Sequence, residues 1–221
     1  EKNIMTVEDP VEYQLPGLTQ SMVNVRAGMT FPAVLRTMLR QDPDIILVGE
    51  TRDKETAVIA IEASLTGHLV LTSLHTNDAP GAVARLTEMG IEPFLTASAV
   101  GGVVAQRLVR GICPKCKEAY TPPADAIRRM NMPLDVDNVV MYRGTGCSHC
   151  RGTGYKGRLG IFELMVVDNE LRELMLQKAP THVLRQAALD AGMISLKEDV
   201  MHKILEGMTT IEEALRVVYS E

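Results

Sequence analysis

Four cysteines fall into two pairs, Cys113-x2-Cys116 and Cys147-x2-Cys150, with none left over. Each pair makes a tight knuckle that presents two thiolates to one side. Two knuckles complete a tetrahedral Zn2+ site, closed to water and therefore structural. Disulfides or four free thiols are the alternatives, and the paired CxxC spacing favours a metal in a reducing compartment. The 30 residues between the pairs exceed the usual ribbon spacing, so the intervening chain must make an excursion and fold back. Glycines beside the second pair permit the left-handed turns that a knuckle needs. His149 lies inside that pair, but four cysteines already satisfy the ion.

A second set of residues is acidic and basic. The run NIMTVED ends in Glu8 and Asp9, Ile45–Val48 runs through Gly49 into Glu50, and HLVLTSL is followed at once by His75. In an open parallel sheet, ligands bind at the carboxyl ends of the strands. If these strands are parallel, Glu8, Asp9, Glu50 and His75 converge on one margin. Acids and an imidazole there suit Mg2+ and an activated water, as phosphoryl transfer requires. The plain alternative is that acids at strand ends cap turns and face solvent.

Arginines supply the opposite charge. Arg36 and Arg40 are one helical turn apart, a like-charge pairing that costs roughly 0.2–0.5 kcal/mol unless an anion faces it. Arg52 stands two residues beyond Glu50. A guanidinium fork fits phosphate oxygens and can act within or across subunits; an ordinary solvated face is the alternative. His68 opens an apolar strand, where a histidine is commonly structural. A phosphate-binding loop needs G-x-x-x-x-G-K-[ST], and the chain contains no Gly-Lys dipeptide. Without that cradle of amides and its lysine, this chain alone would grip ATP weakly.

The elements that must position these groups are readable from periodicity. Residues 1–110 alternate strands with helices: a strand at NIMTVED, a helix from Thr30 through FPAVLRTMLRQ, a strand at DIILVG, and a helix through KETAVIAIEASLT with Ala57, Ile61 and Leu65 at helical spacing. HLVLTSL is a strand and APGAVARLTEMG a helix closed by Gly90. The alternation predicts a mostly parallel α/β sheet, and the unbroken IILV predicts a strand covered on both faces. The run PFLTASAVGGVVAQRLV reads as a helix buried in the core, too short and too polar to span a membrane. Residues 111–165 hold all the cysteines, with six of the 17 glycines between Gly144 and Gly160, and predict a second, irregular module. Residues 166–221 read as a small helical bundle. SLKE from Ser195 and TIEE from Thr210 have capping-box spacing, and Asp168 is a further N-cap.

Composition narrows the function classes. A net charge of −5 and the lack of any Lys/Arg-rich run disfavour nucleic acid and a tightly bound acidic membrane. No basic-then-apolar leader opens the chain and no transmembrane segment is expected.

Taken in order, these segments resemble a known family. MTVEDPVEY is similar to the aspartate box of the secretion-type ATPases that power type II secretion and type IV pilus assembly, RQDPDIILVGETRD to their Walker B segment, and LTGHLVLTSLHTNDA to their histidine box. QRLVRGICPKCKE with CSHCRGTGYKGRLGIFEL resembles the tetracysteine region of the assembly and secretion members. The resemblance covers nearly the whole chain. Thr51 departs from it, standing where the family usually has Ile or Met, and little consequence is expected of the change.

The resemblance implies a RecA-like domain working as a hexameric ring on the cytoplasmic face of the inner membrane. It implies Glu50 as the Walker B glutamate that binds Mg2+ or orients water, Glu8 and Asp9 in support, His75 sensing the γ-phosphate, and His68 positional in the same box. Arg36, Arg40 and Arg52 match phosphate-contacting or subunit-bridging arginines. The tetracysteine module is implied to engage the inner-membrane platform protein, and a cytoplasmic adaptor is a further implied partner. The phosphate-binding loop would precede residue 1, so the chain is expected to be the C-terminal part of a longer ATPase and inactive alone. The rival reading is a zinc-stabilised docking module without chemistry of its own.

Overall fold

The apolar runs do pair in parallel. In the computed structural model, which describes residues 2–130 and 140–219, β1 (Ile4–Glu8), β2 (Thr19–Met22), β3 (Ile45–Val48) and β4 (Leu69–Thr72) form a sheet in the order β2-β1-β3-β4. Every neighbouring pair is parallel. Val7 lies opposite Val48, and Val48 opposite Thr72. Strands β1, β3 and β4 therefore stop level with one another, and whatever follows them emerges at one edge. No apolar alternation announces β2; its TQSM sequence is held by pairing to β1.

Helix α1 (Phe31–Met38) starts as expected from Thr30, whose Oγ1 accepts from the Ala33 N–H. Helix α2 (Lys54–Leu65) starts from Asp53, whose carboxylate accepts from both the N–H and the hydroxyl of Thr56 at 2.8 Å. Val34, Leu35 and Met38 of α1 and Ile59, Ala60 and Ala63 of α2 pack on Met5, Val7, Ile46 and Val48. The other side of α2, Ala57 and Ile61, packs with Leu86 of α3 (Ala79–Glu88) and Ile91. Helix α2 is thus buried on two sides, while Leu65, third in its helical spacing, is exposed. The expectation that IILV is covered on both faces holds for one: Ile46 and Val48 are fully buried, but Ile45 and Leu47 only half, and Leu69 and Leu71 of β4 are exposed.

The segment read as one buried helix is two elements. Helix α4 (Pro93–Ala99) ends before Gly101 and Gly102, and β5 (Gly102–Ile112) follows. The glycine pair breaks the helix, and the β-branched residues after it favour extended backbone. Phe94 and Val104 are exposed rather than buried. The module at 111–165 is also more regular than its glycines suggest. It contains β6 (Lys117–Tyr120), α5 (Ala124–Arg129), β7 (Met141–Gly144) and β8 (Tyr155–Val166); β5 pairs with β8, and β6 runs antiparallel to β7.

Four helices follow: α6 (Asn169–Leu176), α7 (Thr181–Asp190), α8 (Leu196–Leu205) and α9 (Ile211–Val217). They do not make one bundle. Contacts divide the chain into two units, one formed by residues up to Val103 with Met165–Asp190, the other by Val104–Leu164 with residues from Ala191 onward. Helices α6 and α7 pack with α4 and α3 in the first unit, whereas α8 and α9 belong to the second. The caps at Asp168 and Ser195 form as read, the latter a full reciprocal box with Glu198. The box at Thr210 is half made: Thr210 accepts from the Glu213 N–H, but the Glu213 carboxylate is drawn away by two arginines. No helix among the described residues is long and apolar enough to cross a membrane.

Candidate active site and metal centre

Parallel pairing of β1, β3 and β4 brings Glu8, Glu50 and His75 to one sheet margin. Gly49 allows the close approach there: a Cβ on it would lie 3.2 Å from both the Glu8 Cα and the Val7 carbonyl oxygen. Its own N–H donates to that Val7 carbonyl at 2.8 Å. Glu50 follows at once, its side chain 13% exposed. One carboxylate oxygen, Oε2, accepts from Arg52 Nε at 2.5 Å and faces His75 Nε2 at 3.4 Å. Burial pushes the Glu50 carboxyl up, but the Arg52 guanidinium and the His75 ring more than offset it and hold it below the ordinary carboxylate value. The group is ionised at neutral pH, which a metal ligand or a base requires.

The other acids of the margin are differently placed. Glu8, the last residue of β1, accepts through Oε1 from Thr6 Oγ1 at 2.6 Å and from Gln20 Nε2 at 3.1 Å. Asp9 is exposed one residue beyond the strand. Arg36 is paired with Glu55 of the first turn of α2 at 2.7 Å, both side chains being exposed.

Two sequence candidates are not brought to this margin within the chain. His68 stands at the entrance of β4, the opposite end of the strand, where its Nδ1 donates to the Ala63 carbonyl at 2.9 Å. That bond fixes the turn between α2 and β4, the structural alternative open to it from the sequence. Arg40 lies just past α1, beside Gln41 and Asp42, whose carbonyls accept from the Asn3 side chain before β1 begins. It is exposed at the opposite edge of the sheet.

One residue dismissed from the sequence is prominent here. Thr51 is 4% exposed, and its hydroxyl meets that of Thr72 at 2.8 Å. Its departure from the resembling motif and its place beside Glu50 were the only signals that could have singled it out.

The metal centre is built by the β6–β7 hairpin. Lys117 pairs with Gly144, so the residues flanking Cys116 and Cys147 meet, and the long excursion between the cysteine pairs is closed. The chain then returns so tightly that a Cβ on Gly144 would lie 2.0 Å from the Gly154 carbonyl oxygen. The four Sγ atoms lie within 4.8 Å of one another. Cys113–Cys147, Cys116–Cys150 and Cys147–Cys150 are separated by 3.9, 3.8 and 3.8 Å. A tetrahedron of sulfurs ~2.3 Å from a central Zn2+ has edges of ~3.8 Å, whereas a disulfide would need ~2.05 Å. Burial disfavours the Cys150 thiolate, yet the N–H groups of Cys147 and Gly154, both 3.2 Å from Sγ, lower the thiol to about 6. Burial pushes Cys116 up to about 11. The donor set fits a soft divalent cation, whose charge deprotonates coordinating thiols. His149 is exposed and is not part of the cluster.

Comparison with known proteins gives the family and the fold. The family described as Type II/IV secretion system protein matches residues 1–216. The chain is 50% identical over 216 residues to the type IV pilus assembly ATPase PilB of Thermus thermophilus, covering 97% of this chain and 24% of that protein. It is 50% identical over 221 residues to type II secretion system protein E of Pseudomonas aeruginosa, covering 100% of this chain and 43% of the relative. The crystal structure of the pilus retraction motor PilT with bound ADP matches with a TM-score of 0.69 at 24% identity, covering 98% of this chain and 52% of that one. The ATPase DotB of Legionella pneumophila matches at 0.67 and 20% identity. These neighbours establish the RecA-type fold. The chain spans less than half the length of these curated relatives.

Proposed function

Because the chain belongs to the Type II/IV secretion system protein family, we propose that it supplies the Walker B and histidine-bearing margin of an ATP-hydrolysing motor for type II secretion or type IV pilus assembly. The observation that carries the reading is the approach of Glu50 and His75 to 3.4 Å where two adjacent parallel strands end. Mg2+ bound with the nucleotide would neutralise charge across the β- and γ-phosphates. The ionised Glu50 orients the attacking water or the Mg2+ shell, and Glu8 and Asp9 add negative charge to the same rim. His75, 81% exposed beside that carboxylate, can donate a hydrogen bond to a γ-phosphate oxygen. Arg52 is the nearest cation and can exchange Glu50 for phosphate. Arg36 and Arg40 lie farther off, and act on phosphate across a subunit boundary in this reading; His68 supports the turn that aims the histidine strand.

The cysteine cluster is a structural Zn2+ site in this proposal. The whole motor is a hexamer, peripheral to the cytoplasmic face of the inner membrane. The zinc module meets the platform protein there, and an adaptor completes the assembly. The thiolate spacing supports the zinc assignment, and the relatives' names support the secretion or pilus setting; the ring and its partners follow from the family resemblance. The decisive experiment is Mg-ATP turnover by the full-length protein carrying Glu50→Gln. Loss of a positioned acid–base group typically removes about 10²–10⁴-fold of rate; unchanged turnover would take Glu50 out of the mechanism.

A further inference from the structure

Beyond Val48 and Thr72 the β3–β4 ladder ends, yet the two chains stay tied. The Thr51 N–H donates to the Ser73 carbonyl at 3.0 Å, and Ser73 Oγ donates back to the Gly49 carbonyl at 2.7 Å. The third tie is the contact of Thr51 Oγ1 with Thr72 Oγ1 at 2.8 Å. Glu50 is the residue between Gly49 and Thr51, and His75 lies two residues beyond Ser73. Both chemical side chains therefore hang from a short stretch held by one backbone bond and two side-chain ties in place of a ladder. His75 and Arg52 are both exposed, so neighbouring side chains do little to fix them.

We infer that the Thr51–Thr72 hydroxyl pair is a positioning clamp, setting the separation of Glu50 from His75 where the strand ladder has run out. The inference rests on the roles given above to Glu50 and His75. Thr51 touches no substrate; it acts through the residues on either side of it. An apolar residue of similar size would fill the space equally well, but could not tie β3 to β4 at this level. The clamp also sets a direction. Thr51 is buried and Thr72 exposed, so removing the Thr51 hydroxyl leaves its partner to water, whereas removing the Thr72 hydroxyl strands a buried donor. Thr51→Val is therefore the cleaner variant and is expected to fold.

The test has two independent arms. In the 221-residue chain, nuclear Overhauser contacts between the Glu50 side-chain methylenes and the His75 ring are measured in wild type, Thr51→Val, Thr51→Ser and Thr51→Val/Thr72→Val. The contacts are expected to weaken at least twofold in both Val variants to the same extent and to persist in Thr51→Ser, with thermal unfolding little changed. In the full-length protein, Thr51→Val is expected to lower kcat for Mg-ATP by roughly five- to tenfold, the value of one hydrogen bond. KM should stay within about twofold, and Thr51→Ser should recover the loss. Contacts that survive in Thr51→Val, or a serine variant as impaired as valine, overturn the clamp. A silent Glu50→Gln in the same turnover assay instead condemns the functional reading, while the contact measurement still judges the clamp.

Discussion

Glu50 and Glu213 are both carboxylates gripped by arginine, and the contrast between them separates the two regions of this chain. Glu213 is completely buried. It accepts from Arg110 Nε at 2.9 Å and Nη2 at 2.6 Å, from the Arg110 backbone N–H at 2.8 Å, and from Arg216 Nε and Nη2 at 3.0 and 2.7 Å. Arg110 in turn lies over the Tyr155 ring, whose hydroxyl meets Thr210. Every lone pair has a donor. Glu50 has two contacts, both on one oxygen, and their owners are largely exposed. A saturated carboxylate can only hold the fold, whereas one with open valence and movable partners can exchange them for a cation or a water. The same division holds for the sulfurs: four converge within 4.8 Å, enough ligands to close a tetrahedral centre, in the same unit as the closed ion-pair network.

The strongest way to break this contrast is to open the closed region. Structural zinc is worth on the order of 10 kcal/mol or more of folding free energy in small modules. Stripping the metal, or Cys113→Ser, is therefore expected to abolish hydrogen-exchange protection around residues 111–160 while the β2-β1-β3-β4 sheet keeps its own. Exchange rising uniformly along the chain would deny that the regions are separable. Zinc content after exhaustive dialysis is the simpler companion; a value near zero per chain removes the metal.

Next in size is Glu213→Gln. Breaking one side of a buried pair costs about 3–5 kcal/mol, and because Arg110 and Arg216 are about half exposed the lower end is expected, read by denaturant unfolding of the second unit. Glu50→Gln should cost less than about 1 kcal/mol in the same measurement, since its arginine is surface-held. Equal losses would mean that Glu50 is structural too.

How much of this was legible in the sequence follows from range. The strand ends at Glu8, Glu50 and His75, the cysteine pairs, and the caps at Thr30, Asp168 and Ser195 are signals written within a few residues, and the structure builds each of them. The Glu213 network joins residues 103 apart, so the sequence near Thr210 offered only a capping box, and the glutamate found stronger donors than its own backbone. The run from Pro93 to Val109 misled because its apolar content was read over the glycine pair that divides it. Residues 111–165 looked irregular because the glycines needed for close backbone approach, such as Gly144 against Gly154, obscure the short strands between them. Thr51 was passed over because its partner is supplied by another strand.

Acid sharpens the contrast without any substitution. The buried Glu213 carboxyl is penalised by desolvation, but its two arginines prevail and lower it to about 2 from the model-peptide 4.5. A depressed folded-state value stabilises above the unfolded value and is lost as pH falls toward the folded one. By pH ~3.5, one unit below the unfolded value, part of the lock should already have gone, and the remainder should go as pH approaches the folded value. Glu213→Gln should lack that component, so the two proteins' stabilities converge between about pH 4.5 and 2. Parallel curves would show the arginines contribute nothing to its ionisation.

The smallest effect is the most discriminating. Arg52→Ala removes the shortest contact of Glu50, yet an exposed pair is worth only about 0–1 kcal/mol, so unfolding should hardly move. If Arg52 is an exchangeable counter-charge, turnover by the full-length protein should fall while stability does not, and the loss should be partly restored by Lys, which keeps the charge but not the fork. If Arg52 instead locks Glu50 as Arg110 locks Glu213, Arg52→Ala should destabilise the first unit by several times that amount. The two arginines differ only modestly in exposure, 64% for Arg52 against 47% for Arg110, and so do their carboxylates, 13% for Glu50 against 0% for Glu213. What separates the sites is therefore the number of donors each acid has collected, and Arg52→Ala measures how far a carboxylate with only two of them remains free to change partners.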